Sequence, residues 1–323
     1  MTNKLMKGNR GEIDGGILTL IALCIIIFVF IIPQGKLGPV GNIFNTVSNT
    51  NSWNPSNNLN TSNTNPSLKL NSAFASLISI NSGSAGYAQN PWGEYVIFQS
   101  QGNTPIDITG WTFKNNMSNK TYVVGGNVKY FQSDIEIIPK VATYLSPTGN
   151  NIFKDIVLNN GDEVIVTTGS TGVTIPYKLV NFRENICSGY LDSSNDYGFN
   201  PPLQRSCPLL RNEPGINGLD SSCQDYLNGI SGCYIPKYDT VDQNGNICNG
   251  CVDGRSNLTG ICVAFIKQHA NYASCIANHK DGANFSLNIW RVFLGKTFPI
   301  WDKSNEIISL FDNQGKLVNS YSY

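Results

Sequence analysis

The chain has 323 residues, with 14% charged and a formal net charge of zero. Neither an acidic nor a basic field is available, which argues against a general nucleic-acid binder. Asn, Ser, Thr and Gly are abundant and histidine occurs twice, a mix that favours turns and strands over long helices.

Residues 1–16 are polar, with Lys4, Lys7 and Arg10 preceding Glu12 and Asp14. The run Ile17–Ile32 follows, with Thr19 its one polar residue. At about 1.5 Å per residue it extends roughly 24 Å, or about 28 Å with Gly15, Gly16 and Pro33. That suits a slightly thinned bilayer. It exceeds a usual signal-peptide core, and no small-x-small cleavage site follows. Basic residues before it predict a retained single-pass membrane anchor over 17–33, with a cytoplasmic tail over 1–16 and the rest extracytoplasmic. A lipoprotein reading of Ile21–Cys24 is opposed by Leu23. A prepilin reading lacks the glutamate expected where Ile21 stands. Residues 34–66 are low-complexity Asn, Ser and Thr, with too little apolar surface to offset chain entropy, and predict a disordered stalk.

From Ser67 onward short apolar runs alternate with turn formers. Leu68–Leu70, Leu77–Ile80, Glu94–Ser100, Ile106–Phe113, Lys129–Ile138, Ala142–Leu145, Ile156–Leu158, Glu163–Thr167 and Ile175–Phe182 read as strands. At the C-terminus Glu306–Phe311 and Lys316–Tyr321 flank Asp312–Gly315 and predict a β-hairpin. Alternation in the first of these puts Ile308 and Leu310 on one face and Ile307 and Phe311 on the other. Apolar side chains on both faces predict an inner strand. Many short strands of this kind imply an antiparallel sandwich.

Glu94–Phe98, the corner Gly102-Asn103-Thr104-Pro105-Ile106-Asp107-Ile108-Thr109-Gly110-Trp111, Gly161-Asp162 and the closing hairpin together resemble the lamin-tail domain family. The resemblance covers residues 92–182 and 290–323. It implies a mainly β, immunoglobulin-like sandwich over 67–182 and 290–323, interrupted at 183–289 by a small, partly helical, disulfide-rich insert. FREN-x-C-S-G-Y around Cys187 and N-Y-x-S-C around Cys275 are similar to stretches in membrane-anchored bacterial members. The residues support the corner independently. Pro105 fixes the backbone, Gly110 allows a bend, and Trp111 can fill the space between sheets.

Eight of nine cysteines (Cys187, Cys207, Cys223, Cys233, Cys248, Cys251, Cys262, Cys275) lie in the insert. An even cluster outside the cytoplasm indicates disulfides. Cys223–Cys233 and Cys262–Cys275 both begin Cys-x-x-aromatic-aliphatic and end on Cys. If they pack as an antiparallel helix pair, Cys223 joins Cys275 and Cys233 joins Cys262, leaving Cys187 with Cys207 and Cys248 with Cys251. That is one of 105 possible pairings. The rival is a zinc site, with Cys248 and Cys251 as a knuckle and Cys262, His269, Cys275 and His279 as further ligands. Asp239, Asp242, Asn244 and Asn246 resemble the start of a calcium loop, but the twelfth position from Asp242 is Asp253 rather than glutamate.

No nucleophile elbow, phosphate loop, dinucleotide fingerprint or zincin motif is present. Glu94, Asp107 and Glu163 are scattered carboxylates with no sequence reason to meet. The expectation is a membrane-anchored, non-enzymatic module without a cofactor, binding a protein or an envelope polysaccharide. DNA capture and a pilus-like subunit are the alternatives. Tyr190, Tyr197, Phe199, Tyr234 and Tyr238 are the candidate contact aromatics.

Overall fold

The computed structural model describes residues 71–116, 121–124, 126–130, 135–170, 177–193, 198–241 and 245–323. The expected tail, anchor, stalk and Leu68–Leu70 strand lie outside the described residues. No helix among the described residues is long and apolar enough to cross a membrane.

The fold is strand-rich with several sheets, and a partly helical region carries four disulfides. In chain order the strands are β1 (Ile78–Asn81), β2 (Tyr95–Ser100), β3 (Ile106–Asp107), β4 (Thr112–Lys114), β5 (Thr121–Val124), β6 (Asn127–Tyr130), β7 (Ile135–Ile137), β8 (Val141–Ala142), β9 (Phe153–Lys154), β10 (Val157–Leu158), β11 (Glu163–Thr167) and β12 (Phe182–Asn185). Helices α1 (Gly189–Ser193), α2 (Ser221–Gly229), α3 (Gly260–His269) and α4 (Tyr272–His279) follow. The chain then closes with β13 (Ser286–Phe293), β14 (Ile307–Phe311) and β15 (Leu317–Ser322).

A seven-stranded sheet runs β1-β2-β11-β13-β12-β8-β9, and a four-stranded sheet runs β15-β14-β4-β7. The C-terminal hairpin forms as its alternation predicts, with β14 between β15 and β4. Ile106–Phe113 does not stay one strand. It bends where Gly110 takes φ +81°, so Ile106 pairs with Leu158 while Phe113 pairs with Glu136 and Leu310. Trp111 and Phe113 are buried together in the first core.

The large sheet is not purely antiparallel, contrary to expectation. Strand β13 runs parallel to β11 and antiparallel to β12, and β12 runs parallel to β8. Of the expected Ile175–Phe182 strand, the described residues 177–181 form no strand; the strand lies at Phe182–Asn185. The chain leaves this sheet after Asn185 and returns to it at Ser286. Strands β12 and β13 read poorly as sequence because each buries a charge. Arg291 is 2% exposed and Glu184 0%, and Arg291 Nε donates to Glu184 Oε1 at 2.6 Å.

Alternation along β13 divides the molecule into layers. Trp290 and Val292 join the core shared with Phe113, Ile308 and Leu310 of the small sheet. On the opposite face, Phe293 packs with Phe182 against Cys187, Tyr190 and Phe199 of the disulfide region. A third cluster, with Leu227, Val252 and Ile266, lies within that region. The large sheet is thus covered by strands on one face and by the disulfide layer on the other.

Candidate functional site

The disulfide layer is fastened to the sheet by Arg291. Its Nη1 and Nη2 donate to the carbonyls of Pro201 and Pro202 at 2.7 and 2.9 Å, and Glu184 Oε2 accepts from Gln204 N at 2.9 Å. Every arm of this buried pair is used, which is what makes burial of both charges tolerable. Tyr272 adds a bond from its hydroxyl to the Leu145 carbonyl at 2.7 Å.

The cysteines pair as Cys187–Cys275, Cys207–Cys233, Cys223–Cys262 and Cys248–Cys251, with Cα separations of 5.7, 5.0, 5.6 and 5.5 Å. This replaces the expected Cys223–Cys275, Cys233–Cys262 and Cys187–Cys207 bonds. The antiparallel helix pair behind them does not form. The helix that carries Cys262 ends at His269, and Asn271 caps a new helix by accepting from Ser274 N. Cys275 is carried away on α4 to meet Cys187 beside the sheet. The N-terminal turns of α2 and α3 lie side by side. Asp220 caps α2, Thr259 caps α3, and Thr259 Oγ1 donates to Asp220 Oδ2 at 2.8 Å. Cys223 and Cys262, each three residues past its cap, are thereby opposed. Four disulfides mark the folded unit as one of an oxidising, extracytoplasmic environment.

The proposed zinc ligands are dispersed by the same bonds. Cys248 and Cys251 are joined to each other, and Cys262 and Cys275 to separate partners. His269 Nδ1 lies 2.8 Å from the Phe265 carbonyl, and His279 Nε2 lies 2.9 Å from Glu213 Oε1. No group of three or more potential metal ligands occurs among the described residues. Asp242 and Asn244 of the calcium-loop reading lie outside them. Of the scattered carboxylates, Glu94 and Glu163 stay apart: Glu163 opposes Gln99 at one end of β2, while Glu94 precedes its other end. Five strand residues put them roughly 16 Å apart.

Burial sorts the candidate aromatics. Tyr190 and Phe199 are core residues, Tyr238 is half-buried, Tyr234 is 37% exposed, and Tyr197 lies outside the described residues. Tyr234 borders a cleft of about 240 Å³ together with Ser193, Arg205, Ser231, Ile235 and Lys237. The Cys207–Cys233 bond braces its floor, and two glycines permit the crossing. A Cβ on Gly189 would strike Cys233 Sγ, and one on Gly232 would lie 2.6 Å from the Cys207 carbonyl. Arg205 pairs with Asp192 at 3.2 Å at the rim. Lys237 is exposed, and its backbone N–H donates to Asp253 Oδ1 at 2.9 Å.

Asp253 is the hub beside this cleft. It also accepts from the Tyr226 hydroxyl at 2.6 Å. Burial, then the Asp253 carboxylate, pushes the Tyr226 phenol well up, and the same causes raise Tyr238 to about 12 and Tyr234 less far. All three are therefore neutral hydroxyls at physiological pH. Lys267 Nζ lies 4.9 Å from the Tyr238 ring centroid, and the Arg255 guanidinium 5.5 Å from that of Tyr226. Tyr226 is buried and Tyr238 half-buried under these cations, so the surface presents the Tyr234 ring beside the exposed cations Lys237, Arg255 and Lys267. Such a surface can stack on sugar rings, donate hydrogen bonds and pair with anionic substituents.

No family model matches the chain, and neither a curated protein nor a solved structure does.

Proposed function

We propose that this chain is a membrane-anchored surface module with a lamin-tail-like sandwich, and that its disulfide layer binds anionic glycan of the cell envelope. The observation that carries the reading is the braced cleft beside Asp253, where Tyr234 and Lys237 stand exposed on a support tied to the sheet by Arg291. The support is rigid and the groups it presents are polar, aromatic and basic, a combination suited to a hydrated polymer. The sequence supplies the rest: an apolar stretch over 17–33 to hold the membrane, and the 34–66 stalk to lift the module from it.

The test is co-sedimentation of the full oxidised chain, in detergent, with purified cell-wall material, with DNA–cellulose in parallel. Saturable wall binding is expected, reduced at least fivefold in the double variant Tyr234→Ala, Lys237→Ala. Binding to DNA alone, lost steeply with salt, would overturn the proposal. Wall binding that the double variant leaves unchanged would remove this cleft as its site.

A further inference from the structure

A second cleft, of about 210 Å³, lies across β8, β9, β12 and β13. Its centre is Arg183 on β12. The guanidinium stacks on the Trp290 indole, 4.4 Å from the ring centroid. Its Nε donates to the Leu287 carbonyl at 2.6 Å. One hydrogen bond and one ring face thus hold the plane in position, while Nη1 and Nη2 have no acceptor among the described residues. Burial works against the charge of this side chain. The nearby Asp162 carboxylate is already engaged by the backbone and side-chain amides of Asn159.

The remaining lining fits the same chemistry. Lys154 brings a second cation. Asp155 is the one carboxylate in the cleft, and it is paired with Lys140 at 3.0 Å. Val141 and Val157 make an apolar wall. Phe153 and Val157 remain 48% and 42% exposed on the outer part of this region. A half-buried guanidinium with its fork free, in a cleft whose own acid is neutralised, is arranged for two parallel hydrogen bonds to a carboxylate. The volume is below the roughly 300 Å³ at which pockets for whole drug-sized ligands begin. It admits one amino-acid residue or one sugar.

We propose that this cleft binds the carboxylate of a ligand about one residue in size, through the fork of Arg183 stacked on Trp290. The carboxylate can belong to a peptide chain end or to a sugar acid. The site is separate from the tyrosine cleft and does not depend on glycan binding there.

The experiment is an NMR titration of the full oxidised chain, in detergent, with N-acetylalanine and with glucuronate, followed at the tryptophan indole and arginine side-chain signals. N-acetylalaninamide and glucose are the uncharged controls. Saturable shifts with at least one carboxylate are expected, with the matched uncharged control at least tenfold weaker. Whichever acid binds identifies the source. Arg183→Gln should lose the response, and Arg183→Lys should keep only part of it because the charge remains without the fork. If Arg183→Gln fails to fold, the acid-against-amide comparison on the natural chain decides. Absence of saturation with both acids, equal binding of the uncharged controls, or undiminished binding by folded Arg183→Gln would each overturn the proposal.

Discussion

Glu94 is fully buried just before β2, where its oxygens accept from Ile300 N at 2.8 Å and Trp301 N at 3.3 Å. It ties the loop after β13 to the start of the sheet. Burial raises its pKa from the ordinary 4.5 to about 7; the backbone N–H groups oppose that rise, and the nearby Glu306 carboxylate adds to it. The folded state therefore holds a proton between about pH 4.5 and 7 that the unfolded chain has released. The resulting stabilisation is complete below the lower value and lost as pH rises through the upper one. Glu94→Gln keeps an amide oxygen for the N–H groups and removes the titration. Its stability relative to the natural protein should rise across that window by on the order of 3 kcal/mol. Denaturant titrations of both proteins at several pH values check this; curves that stay parallel would refute it. The same residue shows a limit of reading carboxylates in sequence, where Glu94 looked like any other scattered acid.

At the scale of elements, the cysteine segments are the instructive case. Cys262, Phe265, Ile266, His269, Tyr272 and Ile276 have helical spacing, and each lies on a helix. The break was written in Asn271, a capping residue inside the apparent periodicity, and it redirects Cys275. The opposed caps of α2 and α3 then decide which cysteines meet. Thr259→Ala should remove the α3 cap and the bond to Asp220, at a cost of about 1 kcal/mol. Thr259→Ser, which retains the oxygen, should recover most of it. A denaturation midpoint unmoved by the alanine would mean that the Cys223–Cys262 bond alone orders these ends. The terminal hairpin contrasts with this region. Its alternation and Asp312–Gly315 turn are local signals, and both ends of the hairpin fall within a residue of their expected places.

Across the whole molecule, β13 connects the layers because its alternate side chains serve two different cores. Cys187–Cys275 closes a sequence separation of 88, while Cys248–Cys251 closes one of 3. Chain-entropy scaling assigns the first roughly 4–5 kcal/mol and the second less than about 2 kcal/mol. Replacing Cys187 and Cys275 together by alanine should therefore lower the stability of the oxidised protein far more than replacing Cys248 and Cys251. Equilibrium denaturation of the two double variants makes the comparison. Equal losses would show that native packing around the bridges, rather than loop closure, sets their contribution.

The short strands Tyr95–Ser100 and Glu163–Thr167, the Gly110 bend, the buried Trp111 and the closing hairpin were legible in sequence, because each rests on neighbours a few residues apart. So was the oxidised character of residues 187–275, which an even, clustered set of cysteines announces. The tertiary structure alone decided the parallel placement of β13, the pairing of three of the four disulfides, and the two clefts. Arg291 and Glu184 look like surface charges until strands 107 residues apart bring them together. Arg183 and Trp290 likewise form a site only across a strand pair. These features depend on contacts between distant segments, and no local period or propensity encodes such contacts.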